Sequence, residues 1–141
     1  MADLTIIATN VGLKASTLYP TPQTRAVTLG ETVTEGQPLY RDANDGKYYL
    51  AESDTTVVAA STTGVSLEAG NVDDTILMIT GGSMDLGATL TVGELYVVSN
   101  NTGKIAPIGD LSTGNFTSVI GYAYDASTFI VNFLRSGVAK A

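Results

Sequence analysis

Gly30-Glu31-Thr32-Val33-Thr34-Glu35-Gly36 returns further along the chain as Gly87-Ala88-Thr89-Leu90-Thr91-Val92-Gly93, keeping both glycines and both threonines and exchanging Val33 for Leu90. A match that holds one fixed offset, here the step from Gly30 to Gly87, is the signature of a repeated structural unit. Working outward, Leu39-Tyr40 reappears as Leu95-Tyr96 after a one-residue deletion, and Gly46-Lys47 as Gly103-Lys104 once an insertion restores the offset. Further on, Gly64-Val65-Ser66-Leu67-Glu68-Ala69 aligns with Gly121-Tyr122-Ala123-Tyr124-Asp125-Ala126 at the same step. Each of these is followed by an apolar stretch, Thr75–Thr80 or Thr128–Leu134.

The repeated elements have a common physical meaning. Threonines alternate with small or apolar residues, glycine permits the bend, Leu-Tyr opens a strand, and a Gly-Lys pair closes a hairpin. A unit of about 50 residues struggles to bury its own apolar face, so two of them are expected to pack together. The predicted fold is therefore all-β: a small barrel or sandwich of two similar β units, covering 30–80 and 87–134 within one β domain at 25–141. The repeat does not choose between barrel and sandwich.

The strands are predicted at Leu4–Ala8, Arg25–Leu29, Pro38–Arg41, Tyr48–Ala51, Val65–Leu67, Thr75–Thr80, Leu95–Ser99, Val119–Tyr124 and Thr128–Leu134, runs rich in Thr, Val, Ile and Tyr. In the last, Phe129, Val131 and Phe133 share one face. Thr75–Thr80 is apolar on both faces through Ile76, Leu77, Met78 and Ile79, which calls for cover on both sides. Ala51–Thr62 has room for a short helical turn, and Gly81-Gly82-Ser83 marks a loop. Residues 1–24 lie outside the repeat and carry Pro20 and Pro22, which discourage helix and central strand. They read as an extended arm, reaching a neighbour or packed as a loop on their own domain.

Composition narrows function. The 141 residues suit one compact domain, and 44% apolar against 15% charged residues is a globular balance. Seven Lys and Arg against 14 Asp and Glu give a net charge of −7, the wrong sign for gathering phosphates or anionic lipid, and the basic residues are scattered. Nucleic acid and membrane are not expected partners. No apolar run reaches the length of a membrane span, and the first residues lack an export signal, so synthesis in the cytosol is expected.

With no His, Cys or Trp, neither a Ser-His-Asp nor a Cys-His system can be built, and imidazole and thiolate metal sites are absent. Carboxylates remain. Asp42-Ala43-Asn44-Asp45-Gly46 resembles the start of a calcium loop, but glycine falls fifth and the twelfth position is Ser53. Its repeat counterpart, Asn100-Asn101-Thr102-Gly103, keeps the turn residues and loses the acids, which favours a hairpin turn. Asp42, Asp45, Glu52 and Asp54 are the carboxylates a hydrolase reading would need. No enzyme activity, cofactor or metal is expected. Tyr40, Tyr48, Tyr49, Tyr96, Tyr122 and Tyr124 fall on strands, as core edges or as a contact surface for a glycan or protein.

The segment GETVTEGQPLYRDANDGKYYLAES at 30–53, running into Gly64-Val65-Ser66-Leu67, resembles the capsid cement, or head decoration, proteins of tailed phages. The resemblance implies a β-tulip-like head protein that binds the outer face of the expanded capsid as a homotrimer and clamps neighbouring major capsid subunits against DNA pressure. It implies a virion location, with the major capsid protein and further copies of the chain as partners. On that reading Leu13, Lys14, Leu18, Tyr19 and Pro20 are the expected lattice contacts. The rival expectation is a receptor- or glycan-binding β module of a tail fibre or adhesin.

Overall fold

A computed structural model describes residues 3–14 and 20–141 of the chain. In chain order its strands are β1 (Gly12–Leu13), β2 (Gln23–Thr28), β3 (Pro38–Arg41), β4 (Tyr48–Leu50), β5 (Gly64–Ser66), β6 (Thr75–Asp85), β7 (Leu95–Val98), β8 (Ile105–Pro107), β9 (Phe116–Ala123) and β10 (Phe129–Ala139). The single α-helical turn among the described residues, α1 (Val57–Ala60), falls inside the stretch expected to hold one. Thr56 caps it, its Oγ1 accepting from the Ala59 N–H at 3.0 Å. The protein is all-β, a curled antiparallel half-barrel.

The ten strands make one sheet in the order β4-β3-β5-β6-β10-β9-β7-β8, with β1 and β2 added along β6. β6 holds the curl together. Its first half pairs with β2 and β5, and its second half pairs with β10 and β1. The change of partners falls at Gly81-Gly82, which lies within the strand rather than in the predicted loop. Gly82 adopts φ +95°, and a Cβ there would strike the Thr21 carbonyl oxygen and come within 2.6 Å of Pro22 Cα. Glycine is required at this point because the chain leading into β2 crosses it closely.

Curling brings the two ends of the sheet together, where the Gly103 N–H donates to the Ala51 carbonyl at 2.9 Å. The largest core fills the concave side with Val65 and Ile79 from one half and Tyr96, Ile105, Ile120, Phe129 and Val131 from the other. Tyr96 and Phe129 meet edge to face, ring centroids 5.9 Å apart. A second core, Val27, Leu29, Val33, Leu39, Tyr48, Ile76 and Met78, lies on the other side of the first-half strands. β6 thus has the two-sided cover expected of it, except at Leu77, which is exposed on the outer surface.

Residues 3–14 lie on the body. The N–H groups of Leu4 and Ile7 each donate at 2.8 Å, to the carbonyls of Ile105 and Gly87. Leu4, Ile6 and Val11 pack against the largest core. Asp3 accepts from Ser99 Oγ at 2.5 Å and from Asn101 Nδ2 at 2.7 Å. Ile6 sits over Gly36 and the Ile7 carbonyl over Gly87, each so close that a Cβ would collide. The strand predicted at Leu4–Ala8 does not form, because these are single anchoring bonds rather than a ladder, and Ala8–Asn10 instead closes as a 3-10 turn. β2 also starts at Gln23, inside the segment assigned to the arm.

Candidate functional site

The expected lattice contacts divide. Leu13 is on β1, opposite Met84, with its side chain exposed. Lys14 reaches across to the β9–β10 turn, Nζ donating to Thr128 Oγ1 at 2.9 Å and Ser127 Oγ at 3.1 Å. The Pro20 carbonyl accepts from Ser83, from its N–H at 3.1 Å and from its Oγ at 2.9 Å. Ser83 is fully buried on β6, and its carbonyl accepts from the Lys14 N–H at 3.2 Å, so Lys14 and Pro20 are both tied to it. Leu18 and Tyr19 lie outside the described residues.

The carboxylates are spent on turns. Asp42 Oδ1 accepts from the Asn44 N–H at 2.8 Å and Asp45 Oδ1 from the Lys47 N–H at 2.9 Å, while the Gly46 N–H donates to the Asp42 carbonyl at 2.8 Å. This is a side-chain-braced hairpin turn, with Gly46 at φ +73°. Glu52 accepts from Thr55 and Thr102 hydroxyls, and Glu31 from the Leu50 N–H at 3.0 Å. Lys47 Nζ pairs with Asp73 at 2.6 Å. Among the described residues no three acidic groups come close enough to hold a metal ion.

One acid meets a tyrosine: Tyr49 Oη donates to Asp45 Oδ2 at 2.5 Å. The bond, with the Lys47 N–H, holds the Asp45 carboxyl below its ordinary range and pushes the Tyr49 phenol up to about 12. Tyr40 packs beside Tyr49, centroids 6.0 Å apart, and its own phenol is raised by burial and by the surrounding carboxylates. The remaining strand tyrosines do not join them. Tyr48 and Tyr96 are buried, whereas Tyr122 and Tyr124 are exposed at the end of β9 and just beyond it.

The surface that sequence reasoning missed is apolar. β7, β9 and β10 form a shallow groove of about 270 Å³ whose walls include Leu95, Tyr122, Phe133 and Leu134, with Gly121 at its floor. Its trace in the sequence is Leu134 at the end of the last predicted strand, whereas Ile130, on the same alternation, is buried. The larger open cavity, about 500 Å³ beside Thr5, Asn10 and Asp85, gathers no constellation able to do chemistry. No protein-family model matches the chain, and no curated protein matches its sequence.

Proposed function

We propose that the chain is a structural protein that decorates and stabilises a phage capsid from the outside, binding the major capsid lattice as an assembly of several copies. The observation that carries this reading is the contrast between a tightly braced β body and large apolar side chains left on its surface. Carboxylates and hydroxyls brace turns, while Val57, Val58 and Val138, none of them lining the groove, stand exposed. Such residues suit broad protein contact rather than turnover of a small molecule. The resemblance of 30–53 to head decoration proteins gives the contact its specific partner.

We also infer two similar β units, and the strand register supports it. Read from its ends inward, the sheet runs β4-β3-β5-β6 on one side and β8-β7-β9-β10 on the other. Moved along the chain by the step from Gly30 to Gly87, the rungs Leu39–Leu50, Tyr40–Tyr49 and Arg41–Tyr48 fall on Tyr96–Pro107, Val97–Ala106 and Val98–Ile105. Leu39–Gly64 likewise falls on Tyr96–Gly121. In this register Leu39 stands with Tyr96, so the deletion placed between Leu39-Tyr40 and Leu95-Tyr96 is unnecessary. Gly36 and Gly93 have φ of +80° and +79°, and Gly46 and Gly103 both have φ +73°.

Cosedimentation of the purified chain with capsids lacking decoration tests the proposal. Saturable binding in fixed ratio to capsid subunits is the expected result, and a chain left in the supernatant at saturating capsid sinks it. The exposed pair Tyr122 and Tyr124 favours the second reading, a glycan- or receptor-binding module, for which binding on a glycan array is the expected result.

A further inference from the structure

We propose that the groove between β7, β9 and β10 is where a second copy of this chain docks. The inference rests on the groove itself and does not depend on the capsid reading. In the first half of the sheet the rung Pro38–Val65 is buried, Val65 lying wholly within the largest core. Its counterpart in the second half, Leu95–Tyr122, is open, with Leu95 41% and Tyr122 36% exposed. A position that the molecule covers in one half is left uncovered in the other, and it is still apolar.

Size and charge point to the occupant. Leu134, a further wall of the groove, is 66% exposed beside Leu95 and Tyr122. At roughly 150–200 Å² per large side chain, these three expose about 250 Å² of mainly apolar surface. The apolar part of a standard interface is about 450 Å² per partner, so the groove alone supplies over half of what a stable contact needs. None of the residues lining the groove is ionisable below the tyrosine range. On a chain of net charge −7, two copies meeting here bring no carboxylates of the groove together.

The contact is made by faces rather than by strand addition. The far end of β10 is unsuited to accept another strand, because Gly137 turns to φ +68° and the Val138 N–H already donates to Ser136 Oγ at 3.1 Å. Such a bulge blunts an edge. Side chains of the two copies therefore interleave across Leu95, Tyr122 and Leu134.

Light scattering on the full chain, from about 1 μM to about 1 mM, reads the outcome directly. The expected mass is a multiple of 14.6 kDa that falls to a single chain on dilution. Leu134→Asp and Leu95→Glu, changes at exposed positions on opposite walls, are each expected to give a single-chain mass with an unchanged thermal midpoint. Val72→Asp, exposed on a distant loop, should leave the assembly intact. A single-chain mass across the whole concentration range overturns the proposal, as does an assembly that survives both groove variants while retaining its fold.

Discussion

In the two-unit reading proposed above, Gly64 and Gly121 occupy matching rungs, yet adding one methyl group to each should have very different costs. At Gly121 the new Cβ would overlap the carbonyl oxygen of Ile130 and approach its carbon at 2.9 Å and Phe129 Cζ at 3.0 Å. The obstacle is the backbone of the neighbouring strand, pinned by the Gly121–Val131 and Gly121–Tyr96 rungs. At Gly64 the obstacle is the end of the Met78 side chain, its Cγ and Cε at 2.8 and 2.9 Å. A thioether chain can take another rotamer, whereas a ladder carbonyl moves only with its strand. Gly121→Ala should therefore cost about 3 kcal/mol, the upper end for overpacking, and Gly64→Ala about 1 kcal/mol. With a urea slope of roughly 1–3 kcal/mol per M, the Gly121 variant should lose about 1–3 M in midpoint, and the Gly64 variant a third of that. Equal losses, or a Gly121 variant within about 0.5 kcal/mol of the parent chain, would refute the reasoning.

Removing residues 1–14 takes away the half-buried Leu4, Ile6 and Val11; at roughly 1 kcal/mol each, stability should fall by about 3 kcal/mol, so capsid binding by this truncation must be scored at a temperature where it stays folded. Tyr49 should ionise late: absorbance titration of tyrosinate should show one phenol near pH 12 that returns towards the ordinary value in Asp45→Asn. The neutral phenol is the form the fold favours, so this contribution to stability is complete below the unfolded value of about 10 and is lost as pH rises through the folded one. For Asp45, whose carboxyl is held low, the contribution is present above the unfolded carboxylate value and fades on acidification through the lowered one. Ser118→Ala should be neutral or stabilising by up to about 1 kcal/mol in urea titration, because Ser118 Oγ is buried without a hydrogen-bond partner among the described residues.

The hairpins are the most legible part of the chain. Pro38–Arg41 is predicted and found with the same bounds, because Pro38 opens it and the Asx-rich turn at Asp42–Gly46 closes it. The length of β6 is not legible around Gly81-Gly82, since a glycine pair signals a loop from sequence alone. Only the crossing of Thr21 and Pro22 shows that the pair exists to admit another backbone. β8 escapes for a related reason: Ile105–Pro107 is three residues long and ends in proline, which gives no alternation to read. The N-terminal segment reads as an arm from its prolines and its place outside the repeat. Its anchoring depends on single bonds to Ile105 and Gly87, in the distant second half of the chain, which no local pattern encodes. The groove is hidden because Leu95 and Tyr122 look like core residues until the curl of the sheet leaves that face outside.

An image reconstruction of undecorated capsids, with and without the added chain, tests the central claim most directly. The decoration account predicts extra density on the outer surface, repeated at symmetry-equivalent positions of the lattice and sized for whole copies of a 14.6 kDa chain. Identical reconstructions at saturating protein would contradict it.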